Sequence, residues 1–128
     1  MKFANALNRV LLSAALVLPL VVAPTAALAH AGLVSTVPAA DAGGEAAPSE
    51  LRLSFSETVE LAFSDVVVRG AGGEEVATGE LATDPEDGAT LVVPLEAPLE
   101  PGGYLVEWTV VSGDGHKVSG SYGLTIAP

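Results

Sequence analysis

Two histidines occur in the 128 residues, His30 and His116, and each stands where it can become a metal donor. His30 follows Ala27-Leu28-Ala29, and a small-x-small triplet after an apolar run is where a secretory signal peptide is cut. Cleavage there makes His30 the first residue. A histidine with a free α-amine is a chelator, because the amine nitrogen and the ring Nδ1 can close one ring around an ion. His116 ends the run Gly113-Asp114-Gly115-His116. In extended backbone, residues i and i+2 project to one side, so Asp114 and His116 are expected to present a carboxylate and an imidazole to one point. Asp-Gly is also a common turn dipeptide, and by itself this loop reads as a solvated turn. The pairing with His30 is what gives it a chemical meaning.

One amine, two imidazoles and one carboxylate make an N3O set, which suits the tetragonal preference of Cu(II). Zinc can use the same atoms, but copper stands at the top of the divalent affinity order. Met1 is the only methionine and leaves with the signal, and there is no cysteine. Soft sulfur donors for Cu(I) are therefore missing. The expected load is one Cu(II) per chain with no Cu(I) thioether site, and thiol chemistry is excluded.

The segments around these residues read as follows. Residues 1–29 carry Lys2 and Arg9 and then an apolar stretch interrupted by Pro19, too short for a comfortable membrane span. Residues 30–128 form one small domain that must hold together by packing and strand pairing, without disulfides. They keep three basic residues against 16 acidic ones, a formal charge of −13. Such a charge repels nucleic acid and anionic lipid, and acts chiefly as a solubility device for an exported protein. No nucleic-acid partner is expected, and no membrane span after signal removal.

From Gly32 onward, short β-rich runs alternate with Gly, Pro, Asp and Ala turns, and no stretch has a helical period. Residues 33–37 read as a strand ended by Pro38, and residues 39–48 as a flexible connection. Leu51, Leu53 and Phe55 alternate with Arg52, Ser54 and Ser56, the period of a strand with one wet face. Residues 64–69 and 75–80 flank a Gly-rich turn and suggest a hairpin. Residues 82–89 suggest a long polar loop, and Leu91 and Val93 share a face beyond it. Tyr104, Val106, Trp108 and Val110 lie on one face of the longest strand, expected to be central, with the single Trp in the core. Residues 118–126 return beside it, so the Asp114/His116 loop is the tip of the last hairpin. Tyr104 resembles a tyrosine corner, although an ordinary half-buried aromatic is the preferred reading. Seven or eight such strands predict an all-β, Greek-key sandwich of immunoglobulin-like or cupredoxin-like type.

The chain resembles the CopC family of copper-resistance proteins over its whole exported part. The likeness rests on His30 after the signal, residues 33–38 (LVSTVP), Phe55-Ser56-Glu57, the turn from Leu99 to Tyr104, and the block from Val106 to Gly120 that contains Gly113-Asp114-Gly115-His116. What the resemblance implies is an exported, periplasmic or extracytoplasmic β-sandwich that carries Cu(II) on His30, Asp114 and His116, with Glu57 matching a family glutamate close to the metal. Some members add a Met-rich loop for Cu(I), which this chain lacks. The resemblance also implies a separate membrane copper transporter of the CopD type as a partner. The expectation is a non-catalytic copper carrier or buffer. Two rival readings are a histidine-brace copper oxygenase, which needs open positions for O₂ and exposed aromatics, and a metal-independent immunoglobulin-like interaction module.

Overall fold

Alternation decides the strands. Leu51, Leu53 and Phe55 are buried while Arg52 and Ser54 between them are half-buried, and Val106, Trp108 and Val110 alternate in the same way with Glu107 and Thr109. The computed structural model describes Pro19 and residues 31–40 and 47–128. Residues 1–18 and 20–29, His30 and residues 41–46 lie outside the described residues, and with them the expected signal segment.

Among the described residues seven strands are formed: β1 (Leu33–Val37), β2 (Glu50–Phe55), β3 (Asp65–Gly70), β4 (Ala82–Asp84), β5 (Asp87–Pro94), β6 (Gly102–Val111) and β7 (Lys117–Ile126), with a short 3-10 turn at Leu61–Phe63. They make two antiparallel sheets, ordered β1-β2-β5-β4 and β3-β6-β7. The chain changes sheet after β2, after β3 and after β5, as a Greek-key sandwich requires. Leu51, Leu53, Phe55, Leu91 and Val93 from the first sheet form one cluster with Val66, Val68, Val106, Trp108, Val110, Leu124 and Ile126 from the second. Leu51, Leu53, Val106 and Val110 are wholly inaccessible to solvent, and each such side chain contributes about 1.5–3 kcal/mol on burial. Trp108 meets Phe55 edge-on, with ring centroids 5.1 Å apart, tying the two sheets together.

Several expectations hold here and three change. β1 ends where Pro38 begins, and β6 is central in its sheet, with Trp108 in the core. The hairpin across residues 64–80 forms only at its root. Glu74 and Val76 bond back to Gly70 and Val68, but by Thr78 and Gly79 the chain pairs instead with Leu95 and Pro94 beside β5. The second arm thus crosses between the sheets. Residues 82–89 are a tight hairpin rather than a long loop. Asp84 Oδ1 accepts the Glu86 N–H at 2.8 Å, and Asp87 Oδ1 accepts the Ala89 N–H at 3.0 Å, so aspartates that read as loop polarity are turn-formers. Finally, the Tyr104 hydroxyl donates to the Glu100 carbonyl at 2.7 Å, making the tyrosine corner a real feature of this half-buried ring.

Candidate metal centre

The longest ladder of the fold, β6 with β7, pairs ten residues of each strand from Gly102↔Ile126 to Val111↔Lys117. At its end the chain must reverse within residues 112–116. The Ser112 N–H donates to the His116 carbonyl at 2.9 Å, and the Gly115 N–H to the Ser112 carbonyl at 2.8 Å. Gly115 sits at φ +88°, the left-handed region where a side chain is strained. This reversal brings Asp114 and His116 together. His116 Nδ1 lies 2.9 Å from Asp114 Oδ2, and Asp114 Oδ1 accepts the His116 backbone N–H at 3.2 Å and the Ser112 hydroxyl. The sequence argument placed the two side chains on one side of an extended strand. The structure places them together by a turn in which the carboxylate folds onto the backbone two residues on.

Charge follows from this geometry. The Ser112 hydroxyl, together with hydrogen bonds from the His116 ring and backbone, holds the Asp114 carboxyl well below the usual carboxylate range. Asp114 is therefore anionic at any physiological pH, and both side chains face solvent at the tip of the hairpin. Their donors are an oxygen and a ring nitrogen, with no bulk over them.

A second stretch, residues 56–60, lies along this end of the sandwich. Val59 bridges Ser112, the Glu60 N–H donates to the Val111 carbonyl at 2.7 Å, and the Gly113 N–H donates to the Thr58 carbonyl at 3.1 Å. At its other end the same stretch grips the start of the described chain. The Ser56 N–H donates to the Gly32 carbonyl and the Gly32 N–H donates to Ser56 Oγ, each at 2.8 Å. Ala31, next before Gly32, is fully buried. Glu57 is half-buried between the two sets of bonds.

Of the sequence-predicted site residues, Asp114 and His116 are in contact and Glu57 stands on the neighbouring stretch, while His30 lies outside the described residues. Among the described residues no three His, Cys, Asp or Glu side chains gather closely enough to hold a metal ion. Sequence reasoning missed Ser112 and Ser56. Ser112 had no signal beyond its place two residues before Asp114. Ser56 lay inside the quoted Phe55-Ser56-Glu57 run, but its bond partner is 24 residues away.

Fold and loop together define a small two-sheet β-sandwich that carries a carboxylate–imidazole pair on its last hairpin, beside the start of its first strand. The CopC domain family matches residues 33–127, and this chain belongs to the CopC family. Protein YobA of Escherichia coli strain K12 is 43% identical over 98 residues, covering 77% of this chain and 79% of its own. The crystal structure of CopC from Methylosinus trichosporium OB3b is similar with a TM-score of 0.69 and 32% identity, over 77% of this chain and 95% of that one. That of PcoC, described as a methionine-rich copper resistance protein from Escherichia coli, is similar with a TM-score of 0.67 and 35% identity, over 77% and 99%. No helix among the described residues is long and apolar enough to cross a membrane.

Proposed function

We propose that this chain is exported with loss of residues 1–29, and that residues 30–128 bind one Cu(II) through the His30 amine and ring, Asp114 and His116, with Glu57 beside the ion. Its role is to carry or buffer copper outside the cytoplasm, without catalysis, with a separate membrane transporter of the CopD type as a partner. One observation carries the reading: the stretch 56–60 is bonded at one end to Gly32, two residues after His30, and at the other to the loop that presents Asp114 and His116. Consecutive Cα atoms are about 3.8 Å apart, so a histidine two residues before Gly32 is tethered within about 8 Å of the clamp on the stretch that also holds the loop. The lack of cysteine, and of any methionine after Met1, favours Cu(II) over Cu(I).

The test uses protein secreted and processed by its host, with the N-terminus checked by intact mass, against the same protein bearing one extra residue before His30. An added residue turns the amine into an amide, a poor donor unless it loses its proton. Cu(II) competition titration and electron paramagnetic resonance should show one tight site in the first protein, and a weaker site with changed parameters in the second. Identical affinity and identical spectra would remove the terminal amine, and with it the reading.

A further inference from the structure

Ser112 is a wholly buried polar residue in a loop whose other members are all exposed. Asp114, Gly115 and His116 are all tied to it. Its N–H and its carbonyl close the reversal onto His116 and Gly115, and its bridge to Val59 joins the loop to the stretch that holds Gly32. Its hydroxyl has one proton, with the Asp114 carboxylate as the nearer acceptor and the His116 carbonyl at 3.3 Å as the farther. The hydroxyl therefore donates to Asp114 Oδ1. That oxygen also takes the His116 backbone N–H, which leaves Oδ2 as the oxygen turned to the His116 ring. Without the hydroxyl, an exposed Asp114 side chain keeps only its two contacts with His116, the 3.2 Å backbone bond and the ring at 2.9 Å, and nothing from the buried side of the loop fixes its rotamer.

We propose that Ser112 is a positioning residue of the metal centre: from its buried site it orients the Asp114 carboxylate, and Asp114 in turn orients the His116 ring. Ligating carboxylates are themselves held by hydrogen bonds from outer groups, and those outer groups tune the metal site. The assignment of function to Ser112 rests on the proposed Cu(II) reading, but its first link, from hydroxyl to carboxylate to ring, exists in the metal-free protein and is tested there.

The experiment has two arms on the processed chain. In the metal-free arm, long-range ¹H–¹⁵N NMR at a pH where the imidazole is neutral reads which ring nitrogen of His116 carries the proton. The wild type should show the Nδ1–H form, and Ser112→Ala should shift the population toward Nε2–H, as should Asp114→Ala. An unchanged tautomer in Ser112→Ala overturns the proposal. If that variant does not fold, the wild type decides. A Ser112 hydroxyl proton visible and slow to exchange supports the bond, and one exchanging at solvent rate overturns it. In the copper arm, Ser112→Ala should lower Cu(II) affinity about tenfold, the lower end of the usual range for such outer-shell partners, and change the paramagnetic resonance spectrum. In an Asp114→Ala background it should cost nothing further. An equal loss in both backgrounds would mean that Ser112 acts through the loop rather than through Asp114, and overturns the proposal. Absence of Cu(II) binding in the wild type sinks the functional reading instead, and leaves the metal-free result standing.

Discussion

Gly120→Ala should destabilise this domain although alanine suits a strand better than glycine does. Gly120 faces Trp108 across the β6–β7 ladder, and the indole fills the space its missing side chain leaves. A Cβ at Gly120 lies 2.8 Å from Trp108 Cε2 and 3.1 Å from Cη2, and closer still to Cζ2. Ordinary van der Waals contact begins at 3.4 Å. The ring has little room to retreat, since its other side packs against Phe55 and only 8% of the residue is exposed. Overpacking of this kind costs about 1–3 kcal/mol. Against it stands the entropy gained by removing a glycine from an extended position, about 0.4–1 kcal/mol. The net loss is then about 1–2 kcal/mol, and each kcal/mol lowers Tm by roughly 4–8 °C in a domain of this size. Urea unfolding of metal-free protein, followed by circular dichroism, gives the value. The control is the same substitution in a Trp108→Phe background, which deletes the ring atoms that the new Cβ would meet. There Gly120→Ala should be neutral or stabilising. An equal cost in both backgrounds, or none in the wild type, would refute the steric argument.

Three other expectations follow from the hydrogen-bond pattern. Tyr122 is half-buried with its hydroxyl enclosed and without a hydrogen-bond partner among the described residues, and burial pushes that group up from 10.0 to about 12. Because the fold disfavours the ionised form, stability should be intact below about pH 10 and fall by about 2–3 kcal/mol as pH rises toward 12. Tyr122→Phe should lose that slope in urea midpoints without loss at neutral pH; a wild-type slope retained in the variant contradicts this. Ser56→Ala removes the acceptor for the Gly32 N–H, costing about 0.5–1 kcal/mol of stability and weakening Cu(II) binding a few-fold in a competition titration. Unchanged affinity would mean that the clamp does not serve the metal site. On acidification, Asp114 stays ionised because its hydrogen bonds hold its carboxyl well below the usual range. Its contribution to folding is present above about pH 4 and lost only in stronger acid. Copper release should therefore follow the nitrogen donors, since imidazoles and α-amines in ordinary peptides titrate near about 6.5 and about 7.7–8.0. A release midpoint near pH 4 or below would assign the loss to a carboxylate.

The fold class was legible because burial of one strand face forces a period of two. Leu51, Leu53, Phe55, Val106, Trp108 and Val110 announce their faces to any reader of the chain, and all six are core. The donor inventory was equally legible, since the residue types of Asp114 and His116, and the absence of sulfur after Met1, are facts of composition. The tyrosine corner was visible as a pattern but passed over for an ordinary half-buried aromatic, because the bond from Tyr104 to Glu100 depends on how the intervening turn closes. Tertiary structure alone decided the rest. Residues 75–80 leave their hairpin because the edge of β5 offers backbone partners that local sequence cannot reveal. Asp114 and His116 meet through a turn bonded to the buried Ser112, not through the alternation of an extended strand. The clamp of Ser56 on Gly32 joins residues 24 apart. Short-range periodicity records which side of an element is dry, whereas the bonding of stretch 56–60 to Gly32 at one end and to the last hairpin's loop at the other is set by strand order, which no local pattern encodes.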